Sequence, residues 1–392
     1  MSESKEIFIV AGEHSGDLIG EMLVKELLAL DPGLKITGLG GERMESAGAE
    51  ILLNLVRDLA IIGVAEVIIK FPSIYKAFYG TLDYLRKNRP AAVVFIDYPG
   101  FNLRLAKRVR KLGIPVVYYV TPQVWAWHRS RLGRMSRCID MALVILPFEE
   151  MLLRDAGIPV RFVGTPWLDL MVLTMNRSEV FEHFGFDGEK KLIGILPGSR
   201  SREVATHLPL MLEAAERIQA EQNDVQFVIV RASSVDPDLI QRLVADSNIQ
   251  VKVVDTYRYN VRSAMDFAIV VSGTATLETG LLLCPMIILY KMNALTWYIG
   301  RKMIEIPDVG LINVVAGKRI VPELIGQHCT TANIAGETLR LLGNPEEMEE
   351  VRSQLRKVQE EMGGPGASKR AAGIIHSIVK QSLEIGKSSI TP

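Results

Sequence analysis

One pattern runs through this chain twice: short apolar runs alternate with segments whose apolar residues recur at helical spacing. In the first half, the runs that predict strands fall at 7–10, 35–39, 93–96, 116–120, 142–145 and 161–163. The pattern restarts in the second half, with runs at 192–196, 226–230, 251–254, 268–271 and 287–290. Alternation of this kind predicts parallel sheets with helices on both faces. We therefore expect an α/β chain of two doubly wound, Rossmann-like halves.

The length of the chain, 392 residues, exceeds what one ordinary hydrophobic core holds and indicates two domains. The charged segment 173–191 suits a linker between them. We predict a first domain at 1–172, a second at 190–343, and C-terminal helices at 344–392 that pack back toward the first domain. Ligands of such sheets lie at the carboxyl ends of the strands, so functional residues are expected in loops facing a central cleft.

The composition excludes several classes of protein. The 45 basic and 45 acidic residues cancel, so charge gives no reason to expect nucleic acid as a partner. The three cysteines (Cys138, Cys284 and Cys329) are far apart, which is typical of a reducing cytoplasm rather than a disulfide framework. The most apolar window, 59–71, contains two charged residues and is shorter than the roughly 20 residues of a membrane span.

The loop 197–200 follows a predicted strand and precedes a predicted helix. Gly198 permits a tight turn, Ser199 offers its amide and its hydroxyl, and Arg200 adds a full positive charge. Together with the partial positive charge of a helix start, these groups suit a phosphate. The alternative is an ordinary strand-to-helix turn with a surface arginine.

A second loop, 272–278, has the same position after its strand. Small and hydroxyl-bearing residues open its helix, namely Ser272, Gly273, Thr274 and Thr276. Glu278 suits the two hydroxyls of a ribose, since a carboxylate accepts hydrogen bonds but repels a phosphate. The alternative is a helix-capping box formed by Thr274 and Glu278. Two such loops in one half predict a nucleotide diphosphate site.

The first half has acidic loops instead. The segment after the first strand carries Glu13, His14, Ser15 and Asp17 and lacks the G-x-G-x-x-G spacing of a dinucleotide site. Acidic residues repel a pyrophosphate and suit sugar hydroxyls or proton transfer. Asp97 follows another apolar strand and is a candidate base; the alternative, which the local sequence alone favours, is an aspartate that starts the turn before Pro99 and Gly100.

Two tryptophans, Trp125 and Trp127, follow the strand at 116–120. At the rim of a cleft they stack on a sugar or contact an acyl chain, whereas core packing is the alternative. The six histidines are scattered without metal-ligand spacing, so no metal site and no cofactor are predicted. A nucleotide diphosphate site of this kind is compatible with a sugar transferase, with a UDP-sugar epimerase of the same two-domain design, and with a non-catalytic nucleotide-sugar or lipid-binding protein.

Several of these segments together resemble the lipid-A-disaccharide synthase family. The matching stretches are 10–17, 96–97, 120–127, 146–149, 196–200, 272–278, Asn313 and 322–324. The resemblance implies a GT-B fold and an inverting hexosyltransferase. It further implies transfer of 2,3-diacylglucosamine from its UDP carrier to 2,3-diacylglucosamine 1-phosphate (lipid X), which forms the β-1,6-linked lipid A disaccharide 1-phosphate and UDP.

The resemblance also assigns roles. Asp97 becomes the general base with Glu13 beside the acceptor, and Arg200, Glu278, Asn313 and Glu323 join the donor side. One position departs from the family pattern: Gly326 stands where a glutamine is usual and Gln327 follows, so no role carries over to Gln327.

Acylated substrates imply an enzyme that works at the surface of the inner membrane. His14, Ser15, Trp125 and Trp127 are then expected on the acceptor side. Within the apolar segment 61–85, Ile68, Ile69 and Phe71 are expected to meet the bilayer as part of an interfacial element. A buried helix pair is the alternative interpretation of that segment. A homo-oligomer is compatible with the sequence, which favours no particular assembly.

Overall fold

The structure of the protein is a computed structural model that describes residues 5–58, 64–125, 129–292 and 308–388. Residues 58, 64–71, 129 and 385–388 are described by their backbone alone. The chain forms two compact units. Unit 1 takes the described residues of Met1–Asp169 and Met362–Pro392, and unit 2 takes those of Leu170–Glu361.

Unit 1 is built on a seven-stranded parallel sheet in the order β3-β2-β1-β4-β5-β6-β7. Its strands are β1 (Glu6–Ala11), β2 (Lys35–Gly40), β3 (Glu50–Asn54), β4 (Ala92–Ile96), β5 (Val116–Tyr119), β6 (Met141–Val144) and β7 (Val160–Phe162). The apolar runs predict six of these strands but not β3, an edge strand that is partly exposed.

Helices cover both faces of this sheet. In the first part of the chain they are α1 (His14–Leu30), α2 (Glu42–Ser46), α3 (Leu55–Asp58), α4 (Val64–Asn88), α5 (Pro99–Lys111), α6 (Leu132–Met135), α7 (Pro147–Asp155) and α8 (Pro166–Leu170). Alternate residues of β1 enter opposite cores: Phe8 packs in one, and Ile7 and Ile9 in the other. Each fully buried side chain of this size contributes about 1.5–3 kcal/mol.

Unit 2 is built on a six-stranded parallel sheet in the order β10-β9-β8-β11-β12-β13. Its strands are β8 (Lys191–Leu196), β9 (Val225–Val230), β10 (Val251–Val254), β11 (Phe267–Val271), β12 (Met286–Tyr290) and β13 (Glu323–Ile325). The first five are predicted by their apolar runs. The three-residue edge strand β13 is too short to give such a run.

The helices of unit 2 include one in the predicted linker. They are α9 (Arg177–Phe184), α10 (Ser201–Glu221), α11 (Pro237–Ala245), α12 (Arg258–Ala264), α13 (Thr274–Leu281), α14 (Leu311–Ala316), α15 (Thr331–Leu342) and α16 (Pro345–Glu361). Helix α9 packs against α12, so the segment 173–191 is part of unit 2 rather than a linker.

The last helix, α17 (Ala367–Ser388), belongs to unit 1. Its residues Ala371, Ile375 and Val379 share a core with Ile19 and Leu23 of α1. The C-terminal helices predicted at 344–392 are therefore divided between the two units. Helix α16 stays in unit 2, and only the chain beyond Glu361 returns to unit 1.

Both sheets reverse their strand order at one point, which is where doubly wound sheets bind ligands. In unit 1 the reversal lies between β1 and β4, and in unit 2 between β8 and β11. The loops after β1 and β4 hold the predicted acidic residues, and the loops after β8 and β11 hold the predicted phosphate residues.

Candidate active site

The two acidic loops of unit 1 lie side by side. Ala11 of β1 pairs with Ile96 of β4, so both strands end at the same level of the sheet. Gly12 fits between the loops because it has no side chain: a Cβ atom there would lie 2.3 Å from Cδ1 of Tyr98. Glu13 is exposed and stands immediately before α1. The structure thus brings Glu13 and Asp97 to one corner of unit 1, as the strand order requires.

The loop that carries Asp97 has an unusual backbone. Asp97 and Tyr98 both adopt the left-handed conformation, with φ of 45° and 48°. This conformation costs about 1–2 kcal/mol for a residue with a side chain. The carbonyl of Asp97 accepts hydrogen bonds from the Tyr118 hydroxyl at 2.6 Å and from Nδ2 of Asn102 at 2.7 Å. Two buried side chains therefore hold a strained loop in place.

The environment of Asp97 makes its carboxylate more basic. Burial raises the pKa of Asp97 to about 6, the negative charge of Glu13 acts in the same direction, and a hydrogen bond from the Tyr98 amide opposes both. Among the residues that the structure describes, no lysine, arginine or histidine forms an ion pair with Asp97. A carboxylate of this kind is ionised at neutral pH and accepts a proton more readily than an exposed aspartate.

The first predicted phosphate loop is filled by a carboxylate of the protein itself. Gly198 adopts φ of 116°, as expected for a tight glycine turn. The amides of Ser199 and Arg200 both donate to Oε2 of Glu203, over 3.2 and 3.3 Å. Oε1 of Glu203 accepts from the Arg200 guanidinium at 2.9 Å. Glu203 thus holds the groups expected to bind a phosphate, and the Arg200 side chain is 79% exposed.

The second loop contains a buried ion pair. Glu278 pairs with the Arg262 guanidinium and accepts a hydrogen bond from the Tyr259 hydroxyl at 3.3 Å. Breaking such a pair leaves an uncompensated buried charge, so the Arg262 contact fixes Glu278 firmly. A carboxylate has about four acceptor positions, and Glu278 retains capacity for a ligand.

A model of the family described as lipid-A-disaccharide synthetase matches residues 7–378 of this chain. The lipid-A-disaccharide synthase of Geobacter sulfurreducens is 41% identical over 372 residues, covering 95% of this chain and 97% of that protein. The chain belongs to the lipid-A-disaccharide synthase family. The family resemblance carried by the sequence motifs is confirmed.

Solved structures of other enzymes share the fold of this family member. The UDP-GlcNAc 2-epimerase of Neisseria meningitidis, solved with UDP-GlcNAc, has a TM-score of 0.63 at 16% identity, with 96% of this chain and 100% of that chain covered. CalG4, the calicheamicin glycosyltransferase, has a TM-score of 0.60 at 15% identity, with coverage of 97% and 99%. At these identities the likeness concerns the fold, and the predicted GT-B class of two Rossmann-like domains is confirmed.

In this family member, Asn313 and Glu323 bind the protein rather than presenting free polar groups. Asn313 is fully buried, and it bonds the backbone of Ile320 and Val321 as well as Glu323. Glu323 accepts the amides of Val309 and Gly310 at 2.9 and 2.8 Å. Both side chains hold the loop before α14, and their contact with a donor stays a prediction.

The loop before α14 contacts the second predicted phosphate loop, 272–278. The carbonyl of Val309 accepts the hydroxyl of Ser272 at 3.0 Å, so Glu323 supports Ser272 through one peptide. Thr276 is fully buried, and its hydroxyl donates to the Gly273 carbonyl at 2.8 Å. Thr274 is exposed and stays available to a ligand.

On the acceptor side, Trp125 and Asp17 form hydrogen bonds within the protein. Trp125 is buried, and its indole donates to Oε1 of Glu149 at 3.0 Å, which matches the core-packing alternative. Asp17 is buried and accepts the amides of Gly41, Arg43 and Met44, which makes it an anchor for α2. His14 and Ser15 are exposed as expected. Trp127 and the side chains of Ile68, Ile69 and Phe71 lie outside the described residues.

Two residues beside the first phosphate loop of unit 2, Glu203 and His207, are not predicted from the sequence. Glu203 carries a signal that was available, since a glutamate three residues into a helix is half of a capping box. His207 accepts the Lys291 amide through Nε2 at 2.9 Å, which leaves Nδ1 to donate to the Glu203 carbonyl at 2.7 Å. Burial lowers the pKa of His207, so the ring stays neutral. Within the described residues, no group of three His, Cys, Asp or Glu side chains is arranged to hold a metal ion.

Proposed function

We propose that this chain transfers 2,3-diacylglucosamine from UDP-2,3-diacylglucosamine to the 6-hydroxyl of 2,3-diacylglucosamine 1-phosphate (lipid X). The products are the β-1,6-linked disaccharide 1-phosphate and UDP. The observation that carries the proposal is the family match over residues 7–378. The acidic corner of unit 1 and the two loops of unit 2 supply the groups that such a transfer requires.

On the acceptor side, Asp97 acts as the general base. The oxygen of the acceptor hydroxyl attacks the anomeric carbon while its proton passes to the Asp97 carboxylate. The raised pKa of Asp97, about 6, suits this role because the group is ionised at neutral pH and still basic. Glu13 raises the basicity further through its charge and is placed beside the acceptor, with His14 and Ser15 next to it.

On the donor side, the bond between the anomeric carbon and the phosphate oxygen breaks, and UDP leaves with the electron pair. The Gly198–Arg200 loop and the start of α10 stabilise this developing charge. The diphosphate takes the place of the Glu203 carboxylate on the amides of Ser199 and Arg200. Glu278, oriented by Arg262, accepts the ribose hydroxyls, and Ser272, Gly273 and Thr274 complete the site. One displacement inverts the anomeric centre.

The enzyme works at the cytoplasmic face of the inner membrane, because both substrates carry acyl chains. Among the described residues, the structure has no helix whose length and apolarity would suffice to cross a bilayer. Helix α4 supports a surface contact instead: Tyr75 and Tyr79 are 55% and 39% exposed, their rings lie 4.3 Å apart, and Lys76 between them is exposed. Aromatic and basic residues together suit a headgroup layer.

The membrane contact is tested with Ile68→Ser, Ile69→Ser and Phe71→Ser combined. Sedimentation with vesicles of phosphatidylethanolamine and phosphatidylglycerol is expected to fall several-fold. Leu30→Ser is the matched control, because Leu30 is an exposed apolar residue at the end of α1. Unchanged sedimentation of the folded triple variant would remove the segment 61–85 from the proposal.

The activity is tested with a radiolabelled UDP-2,3-diacylglucosamine donor. Labelled disaccharide 1-phosphate is expected only when lipid X is also present, with one UDP released per disaccharide. Incubation with UDP-GlcNAc alone tests the epimerase alternative and is expected to return the sugar unchanged. An epimerised sugar, or no disaccharide with both substrates, would contradict the proposed function.

A further inference from the structure

The main chain of Asp97 is held by two buried side chains whose hydrogen bonds reach its carbonyl rather than its carboxylate. The Tyr118 hydroxyl and Nδ2 of Asn102 donate to that oxygen over 2.6 and 2.7 Å. Both side chains are fully excluded from solvent. Tyr118 comes from β5, the strand next to β4, and Asn102 comes from the first turn of α5. The Asp97 carbonyl therefore accepts hydrogen bonds from two separate elements, β5 and α5.

These two hydrogen bonds matter because the backbone conformation that they hold is disfavoured. Asp97 and Tyr98 are two consecutive left-handed residues, and neither is glycine. Backbone of this kind persists only where the surrounding structure over-determines it, and it is common at active sites. Without the two donors, the left-handed φ of Asp97 loses two of the contacts that hold it. A change of φ to negative values turns Cβ together with the carbonyl carbon about the N–Cα bond, so the Asp97 side chain leaves the backbone in a different direction.

We propose that Tyr118 and Asn102 are positioning residues for the transfer reaction, which keep the Asp97 loop left-handed and thereby fix the direction of its carboxylate. The inference rests on the proposed function, since it needs Asp97 to be the base. Neither residue has to touch a substrate. Nδ2 of Asn102 also donates to the Ile96 carbonyl at 3.3 Å, so this side chain spans the end of β4 and the start of the loop.

The first test is Tyr118→Phe, which keeps the ring that packs 6.0 Å from the Phe95 ring and removes a single hydroxyl. We expect kcat to fall about tenfold or more, because small misplacements of a reacting group are costly. The KM for the donor is expected to stay unchanged, since the donor loops 197–200 and 272–278 belong to unit 2. Asn102→Leu carries the same prediction and replaces Tyr118→Phe if that variant does not fold.

The pH profile separates positioning from general loss of stability. Glu13 and Tyr98 affect the pKa of Asp97, and Arg131 and Cys138 affect the pKa of Tyr118. An Asp97 side chain that leaves its buried position regains solvent, so the acidic limb of kcat is expected to move to lower pH. Added to Asp97→Asn, the Tyr118→Phe change is expected to cost little more, because it acts through the carboxylate already lost.

Tyr84→Phe is the matched control, since its hydroxyl donates to Oε1 of Glu6 over 2.7 Å at the opposite, amino end of β1. The substrates are the same in all variants, so their own titration cancels. A kcat and pH profile of Tyr118→Phe and Asn102→Leu equal to those of Tyr84→Phe would overturn the inference. If the unaltered enzyme makes no disaccharide, the proposed function fails instead, which is a distinguishable result.

Discussion

Two carboxyl groups of unit 1, Asp97 and Glu149, lie in surroundings opposite to those of three glutamates in unit 2. In unit 1, the pKa of Asp97 is raised to about 6 and that of Glu149 to about 7, in both cases chiefly by burial. Among the described residues, neither forms an ion pair with a basic side chain. In unit 2, Glu278 pairs with Arg262, Glu203 pairs with Arg200, and Glu323 accepts two backbone amides.

The contrast follows the chemistry proposed for each unit. A general base needs a carboxylate whose lone pair is available and whose pKa lies near the working pH. A site for a leaving diphosphate needs fixed donors and cations, and an acidic side chain there is tolerated when it is neutralised. The raised basicity of Asp97 in unit 1 therefore suits a general base. Glu278 and Glu203 of unit 2, whose charges are balanced by arginines, leave that unit suited to an anion.

The largest effect on stability is expected from Glu149, which tests whether a buried carboxyl group of unit 1 makes folding depend on pH. Its folded pKa, about 7, lies above the unfolded value of 4.5. Its contribution to stability is thus fully present below the unfolded pKa and is lost as pH rises through about 7. In the unaltered protein, this group makes the free energy of unfolding fall by about 3 kcal/mol between about pH 4 and pH 8. Glu149→Gln is expected to remove that fall. Urea denaturation across that range measures it.

The control for this measurement is Glu150→Gln, the neighbouring residue on α7, whose carboxylate pairs with Arg154 at the surface. That variant is expected to keep the pH dependence of the unaltered protein. Equal slopes for Glu149→Gln and the unaltered protein would mean that Glu149 is not the source of the dependence, and the contrast between the units would rest on Asp97 alone.

A smaller effect is expected from Arg200, which tests whether the cation of unit 2 serves the donor. The Arg200 side chain is largely exposed, so its loss leaves the fold intact. Arg200→Ala is expected to weaken UDP binding about tenfold, the size of one charge-assisted contact. Calorimetric titration with UDP measures the affinity, and Arg217→Ala on the same helix, α10, is the matched control. Equal affinities for UDP in both variants would show that Arg200 does not contribute to donor binding.

The smallest effect is expected from Glu203 and has the opposite sign. Glu203→Gln keeps an acceptor for the loop amides but removes the negative charge that pairs with Arg200. UDP is expected to bind about threefold more tightly, because it no longer displaces a carboxylate. Glu213→Gln, which alters a carboxylate paired with Arg217 further along α10, is expected to leave the affinity unchanged. Weaker binding in Glu203→Gln would show that the carboxylate only shapes the loop.

Much of the fold is readable from the sequence, because central parallel strands are apolar on both faces. The runs at 192–196 and 93–96 correspond to β8 and β4, whereas the edge strands β3 and β13 give little signal. The positions of the loops also follow from the sequence, since each polar segment stands directly after a strand. The division of the C-terminal helices does not, because it depends on which core each helix completes.

The site itself was less predictable, since residue type does not determine which partner a side chain finds. Asn313 and Thr276 have the polar groups of a ligand site, yet their hydrogen bonds are made inside the protein. Trp125 has the size of an aromatic platform and is buried on Glu149. Partner choice of this kind depends on residues distant in the chain, such as Arg262 for Glu278. Local patterns carry no information about those pairs.

The most direct test of the account is Asp97→Asn, measured for disaccharide formation and for UDP binding in the same preparation. The rate of transfer is expected to fall about a thousandfold, as for the loss of a general base, while the affinity for UDP stays unchanged. Near-normal turnover would contradict the assignment of the base to unit 1. A parallel loss of UDP binding would contradict the division of the two tasks between the units.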